Sequence, residues 1–96
     1  MTYQDKINKI EYAITYDKIT RVHFTTKINR LPLIGKFVKL ADHNELISKR
    51  LFRFVSNSKI DMYVVSTGRK VEFTRIINIE EIESFKLFDE QKQKQQ

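Results

Sequence analysis

KITRVHFTTKI, residues 18–28, sets Thr20, Val22, Phe24, Thr26 and Ile28 on one parity and Arg21, His23, Thr25 and Lys27 on the other. A period of two with β-branched residues prominent predicts a strand with one face buried and one in water. Upstream the period changes. Tyr3, Ile7, Ile10 and Ile14 recur at helical spacing, Lys6, Lys9 and Glu11 fall off that stripe, and Thr2 stands three residues before Asp5 as in a capping box. Residues 1–17 are therefore read as an amphipathic helix that covers a sheet.

Downstream, Asn29 to Pro32 reads as a turn. LIGKFVKL, Leu33 to Leu40, then carries apolar residues on both parities with Gly35 inside, which predicts a bulge or sharp bend. Asp42, His43 and Asn44 read as an Asx-type turn, Leu46 to Ser56 as a strand, and Ser56 to Lys59 as a polar turn. Ile60 to Val65, IDMYVV, reads as another strand, and Thr67-Gly68 as a tight turn before a strand over Lys70 to Ile77. Ile79 to Ile82 reads as one helical turn and Ser84 to Phe88 as a last strand. Strands following one another at about 8 to 12 residue spacing after a single helix predict a mainly β domain: a small antiparallel barrel of the SH3-like or Sm-like kind. The alternative is an α+β layout, with the helix packed on one antiparallel sheet.

The chain has 96 residues, of which two are Gly and one is Pro, so residues 1–88 are taken as one domain without a flexible linker. DEQKQKQQ, residues 89–96, offers no apolar side chain to dock and is expected to be a disordered tail. With no Cys, disulfides, thiolate metal sites and Cys nucleophiles are excluded. No apolar run reaches the roughly 18 residues of a membrane helix and the first residues lack the apolar block of a signal peptide, so no membrane partner and a cytoplasmic location are expected.

Catalytic signatures are also missing. The sequence carries no Gly-rich phosphate loop, GxSxG or HExxH. His23 lies on the solvent parity of its strand. His43 sits in ADHNE, which reads as a solvated turn rather than a metal site, and Glu80, Glu81 and Glu83 share one local turn rather than facing each other across a cleft. The chain is read as a non-enzyme with no cofactor and no metal.

Charge is more telling. Of 18 Lys and Arg against 12 Asp and Glu, net +6, residues 18–75 hold 13 basic and 4 acidic, so the positive charge gathers on the predicted strands. Such segregation is the footprint of a nucleic-acid binder. The sharpest cluster is KRLFRF, residues 49–54, in which Lys49, Arg50 and Arg53 interleave with Phe52 and Phe54. Aromatic platforms and Arg together grip single strands on small β folds. Period two equally makes Phe52 and Phe54 core residues backed by a cationic face, with Arg50 on the wrong parity and in need of an edge or bulge. Arg69 and Lys70 beside Gly68 form a second basic point, and Arg21, Lys27, Lys36 and Lys39 a third. Lys49, Arg50, Arg53, Arg69 and Lys70 are the candidate phosphate contacts, for DNA or RNA.

DKINKIEYAI, VHF, LIGKF and a closing RIINIEEIESF resemble the YolD-like domains of low-GC Gram-positive bacteria and their phages, over Asp5 to Phe85, and more loosely the Sm-type barrels. The resemblance implies a small barrel, not an enzyme, from a family found near DNA-damage functions and mobile elements; it transfers no functional residue. The expected function is nucleic-acid binding through a basic sheet face. The alternative is a phage- or plasmid-encoded protein-interaction module that engages a host protein through a sheet edge or an acidic surface on the partner.

Overall fold

Helix α1, Tyr3–Thr15, opens with the expected capping box: Thr2 Oγ1 accepts from the Asp5 amide at 3.1 Å and the Asp5 carboxylate from the Thr2 amide at 3.3 Å. It ends in a Schellman motif, with Asp17 left-handed at φ 52 and the Lys18 amide donating to the Ala13 carbonyl at 2.8 Å. This computed structural model describes residues 1–25 and 31–88. The alternation predicted through Thr26, Lys27 and Ile28, the start of the turn at Asn29, and the tail from residue 89 lie outside the described residues. Ile10 and Ala13 are buried, with Tyr3, Ile7 and Ile14 packed at the margin of the core. Lys6 departs from expectation: it lies on the buried face, and its ammonium reaches the Glu80 carbonyl at 3.5 Å. A long aliphatic stem with a polar end fits a helix margin in this way.

Five strands follow: β1 Ile19–Phe24, β2 Leu33–Val38, β3 Leu51–Ser56, β4 Arg75–Asn78 and β5 Ile82–Phe88. They form one antiparallel sheet in the order β4-β3-β2-β1-β5, with α1 packed against it. The helix-on-sheet arrangement is thus present, and the sheet cannot be flat. Its two edge strands are joined by a single 3-10 turn, Ile79–Glu81. A flat five-strand sheet holds its edges about 19 Å apart, whereas the step from Asn78 to Ile82 spans at most about 14 Å even when extended. The sheet must curl until its edges approach at that end.

Gly35 is where the curl is made. The first half of β2 pairs with β1 and its second half with β3, and Gly35 alone has register partners on both sides, Thr20 and Ser56. Phe37, Phe52, Phe54, Ile77, Ile79, Ile82, Phe85, Val22 and Ile10 fill the concave side. Phe37 meets Phe52 and Phe54 edge-on, at centroid distances of 5.5 and 5.1 Å.

Three segments read wholly or partly as strand are helical. His43–Ser48 forms α2, so the strand predicted from Leu46 starts only at Leu51. Ile60–Val65 forms α3, and Lys70–Phe73 a 3-10 turn, which shortens the strand predicted there to Arg75–Asn78. In α3 the apolar run has β composition, yet it pairs with no strand among the described residues. Ile60 and Tyr63, three apart, are the half-buried residues, and Met62, Val64 and Val65 stand in solvent. Lys70 closes the helix by donating to the Tyr63 carbonyl at 2.7 Å, a cation at a helix C-terminus.

Thr20 is fully buried on β1, and its hydroxyl has no hydrogen-bond partner. A buried hydroxyl without a partner costs about 1–3 kcal/mol. Thr20→Val is accordingly expected to raise the unfolding free energy by about 1 kcal/mol in a urea titration; an unchanged or lowered midpoint would show the hydroxyl to be satisfied.

Candidate functional site

Of the five basic residues singled out in the sequence, Lys49, Arg50 and Arg69 are exposed and Arg53 and Lys70 half-buried, and each already has an internal partner. Lys49 reaches Glu45 one turn back on α2 at 3.3 Å. Arg50 occupies a left-handed position, φ 60, just after α2, which explains its anomalous parity: it precedes the strand. A non-glycine residue there is strained by about 1 kcal/mol. Its guanidinium lies 4.4 Å from the Tyr3 ring and 3.4 Å from Glu80, tying α2 to α1 and to the turn between β4 and β5.

Arg53 is the most engaged. Its Nε donates to both oxygens of Asp42 at 3.1 and 3.2 Å, Nη2 to Oδ2 at 2.6 Å, and Nη1 to Thr74 Oγ1 at 2.9 Å. Only 13% of its side chain is exposed, so it is a structural tie between β3 and the loop before α2. Arg69 forks onto Glu72 at 2.8 and 2.9 Å, and Lys70 is spent on α3, with its ammonium also 4.4 Å over the Tyr63 ring. Arg50 lies near the start of α1, whereas Arg69 and Lys70 stand at the beginning of the 3-10 turn before β4. Phe52 and Phe54, 1% and 0% exposed, are core residues and present no stacking surface.

Two cations of the third basic group are likewise satisfied, Lys36 by Asp17 at 2.9 Å and Lys39 by Glu11 at 2.6 Å. His43 packs its ring on Phe52 at 4.9 Å, and Asp42 belongs to Arg53, so the ADHNE stretch is absorbed into the fold. Among the described residues no group of three or more His, Asp and Glu could hold a metal ion. No helix among them is long and apolar enough to cross a membrane.

The hydrogen bonds from Arg53 hold the Asp42 carboxyl below its ordinary value of 3.8, their ionic attraction adding to the effect while burial opposes it. Glu72 is lowered in the same way by Arg69, and Asp5 by its bonds at Thr2. A carboxyl depressed in the folded state contributes stability that is complete above its unfolded value and is lost as pH falls through the folded one. Thermal midpoints should therefore drop below about pH 4. Asp42→Asn should lower the midpoint at pH 7 and flatten this acid-side slope; an unaltered slope in the variant would remove Asp42 as a contributor.

A different pair of cations has no partner among the described residues. Arg21 and Lys86 are directly opposed across β1 and β5, both exposed, and neither makes a hydrogen bond or ion pair there. Thr20 and Val22 on one strand and Phe85 on the other point into the core, so Arg21 and Lys86 share the convex face. Opposed side chains in an antiparallel pair stand about 5 Å apart at Cβ, and like charges there are destabilising. Around them on the same ribbon lie His23 opposite Ser84 and Ile19 opposite Phe88, with Ile34 next to Arg21 on β2. Arg21 belongs to the third basic group read in the sequence. Lys86 is not among the sequence candidates, although the alternation of Phe85 and Leu87 around it already sets it outward; what sequence could not supply is its neighbour.

No family model, curated protein or solved structure matches the chain.

Proposed function

We propose that the protein is a non-enzymatic module, an SH3-like curled sheet, that binds single-stranded nucleic acid on the convex β1–β5 ribbon. Arg21 and Lys86 are the phosphate contacts, and Phe88, half-buried on the same ribbon, is the surface against which a base stacks. The carrying observation is the opposed Arg21–Lys86 pair. Two cations held face to face without an acid give up stability, and a phosphate between them reverses the sign of that interaction. Compared with this pair, the five residues that the sequence favours are weaker candidates, because a phosphate would have to displace a carboxylate from Lys49, Arg50, Arg53 or Arg69, and backbone carbonyls from Lys70.

Fluorescence anisotropy with labelled single-stranded DNA and RNA at two salt concentrations tests the reading. Arg21→Ala/Lys86→Ala is expected to weaken binding at least tenfold. It should also reduce the salt slope by about 0.7, the contribution of the one single-strand phosphate held between the two cations. The thermal midpoint of the variant should stay the same or rise, because a repulsion is removed. Binding that survives the double substitution, or no binding by the unaltered protein at low salt, would overturn the proposal.

A further inference from the structure

The sheet has a second unsatisfied feature, on its opposite edge. The Ile79 amide donates to the Arg50 carbonyl at 2.9 Å, which fixes the phase of the β3–β4 ladder. In an antiparallel pair alternate residues turn their N–H and C=O toward the neighbour, so Arg75 and Ile77 face β3. Ile76 and Asn78 turn theirs outward, where no strand among the described residues pairs with them.

Edge strands are commonly protected by charge, especially Lys, on the exposed rim. β5, the other edge, carries Glu83 and Lys86 in solvent. β4 instead exposes Ile76 at 48%, and beside it Leu31 at 83%. Phe24, Leu31, Leu33, Ile76 and Ile77 form the apolar part of a cleft of about 360 Å³ along this edge, and Asn78 and Glu81 contribute to its polar part. Arg75 stands at one end of it with no hydrogen bond or ion pair among the described residues. Unpaired backbone groups, an apolar strip along Leu31 and Ile76 and a guanidinium without a partner among the described residues are together the chemistry that takes up an extended peptide.

We propose that β4 accepts, as a sixth strand, an extended segment of a partner protein in which apolar residues alternate with polar ones and a carboxylate meets Arg75. The apolar side chains would lie on the strip along Leu31 and Ile76, and the backbone would pair with Ile76 and Asn78. This surface is separate from the Arg21–Lys86 ribbon, so either can hold without the other.

The test is selection of random dodecapeptides displayed on phage against the full chain, followed by amide hydrogen exchange with the best synthetic peptide. Enriched peptides should alternate β-branched or aromatic residues with polar ones and include Asp or Glu, and the chosen peptide should slow exchange at Ile76 and Asn78 at least tenfold. Ile76→Pro removes an amide that faces no partner, so the variant should fold and bind at least tenfold more weakly. Arg75→Glu alters only an exposed side chain; it should weaken the acidic peptide at least tenfold and favour a version with Lys in place of the acid. Absence of enrichment, peptides indifferent to Arg75→Glu, or unchanged exchange at Ile76 and Asn78 would each overturn the proposal. So would concentration-dependent protection of these two amides in the peptide-free protein, since the edge would then belong to a second copy.

Discussion

Gly35→Ala is expected to cost more than about 3 kcal/mol and to lower the melting temperature by more than about 10 °C. A Cβ at this position would be driven into the carbonyl of Val55 on the adjacent strand and would come within 2.9 Å of the Phe54 ring. Neither neighbour can yield. The carbonyl belongs to the β2–β3 ladder, and Phe54 is fully buried against Phe37. Overpacking of a tight interior costs about 1–3 kcal/mol, and more where backbone must move. A domain of this length has a total of roughly 5–14 kcal/mol. The cause is space rather than backbone dihedral, so Gly35→Ser should fail in the same way, whereas Ala at Gly68, where φ is +75 and nothing lies close, should cost only about 1 kcal/mol. Circular dichroism melts of the three variants decide it; a Gly35→Ala midpoint within a few degrees of the parent would mean that β3 slides aside, and that the curl does not depend on close approach at this point.

Phe54→Ala should cost about 3–5 kcal/mol, in the range for emptying a buried aromatic site. Phe54 is 0% exposed, pairs in register with Phe37 and Arg75, and is the most enclosed ring of the concave core. The sequence offers two uses for it, a base-stacking platform or a core filler, and the substitution distinguishes them. A core residue takes stability with it, seen as a lower urea midpoint, and any loss of nucleic-acid binding should vanish once the folded fraction is taken into account. A stacking residue would weaken binding at unchanged stability, and that result would contradict the enclosure of this ring between β2 and β4.

What can be read from the sequence is what depends on near neighbours. The capping box at Thr2, the alternation over residues 19–24, the helical turn after Asn78 and the final strand all rest on residues within a few positions of one another. IDMYVV misleads because a six-residue apolar run has no diagnostic period and its β-branched content suggests a strand, whereas in the fold it packs Ile60 and Tyr63 as one turn of helix. The same holds for residues 43–48, where a short helix with Leu46 buried looks like the start of a strand. At the site, composition announces the positive charge but not where it is neutralised. Arg50 and Glu80 are 30 residues apart, Lys39 and Glu11 are 28 apart, and Arg21 meets Lys86 only because the last strand returns to the first. Which cations stay free is a property of the folded pairing.

The return of β5 to β1 also governs the order in which the molecule assembles. β1, β2 and β3 follow one another along the chain, with far fewer residues between successive strands than separate β1 from β5. β1 meets β5 only after the intervening chain has been gathered, because Ile19 pairs with Phe88. Pairings this distant along a chain slow folding, since the entropy of closing the loop is lost before any pairing repays it. Until it closes, β1 is bare along the side that Phe85 and Leu87 later cover, and a half-assembled molecule shows other chains a hydrogen-bonding edge that the finished one conceals.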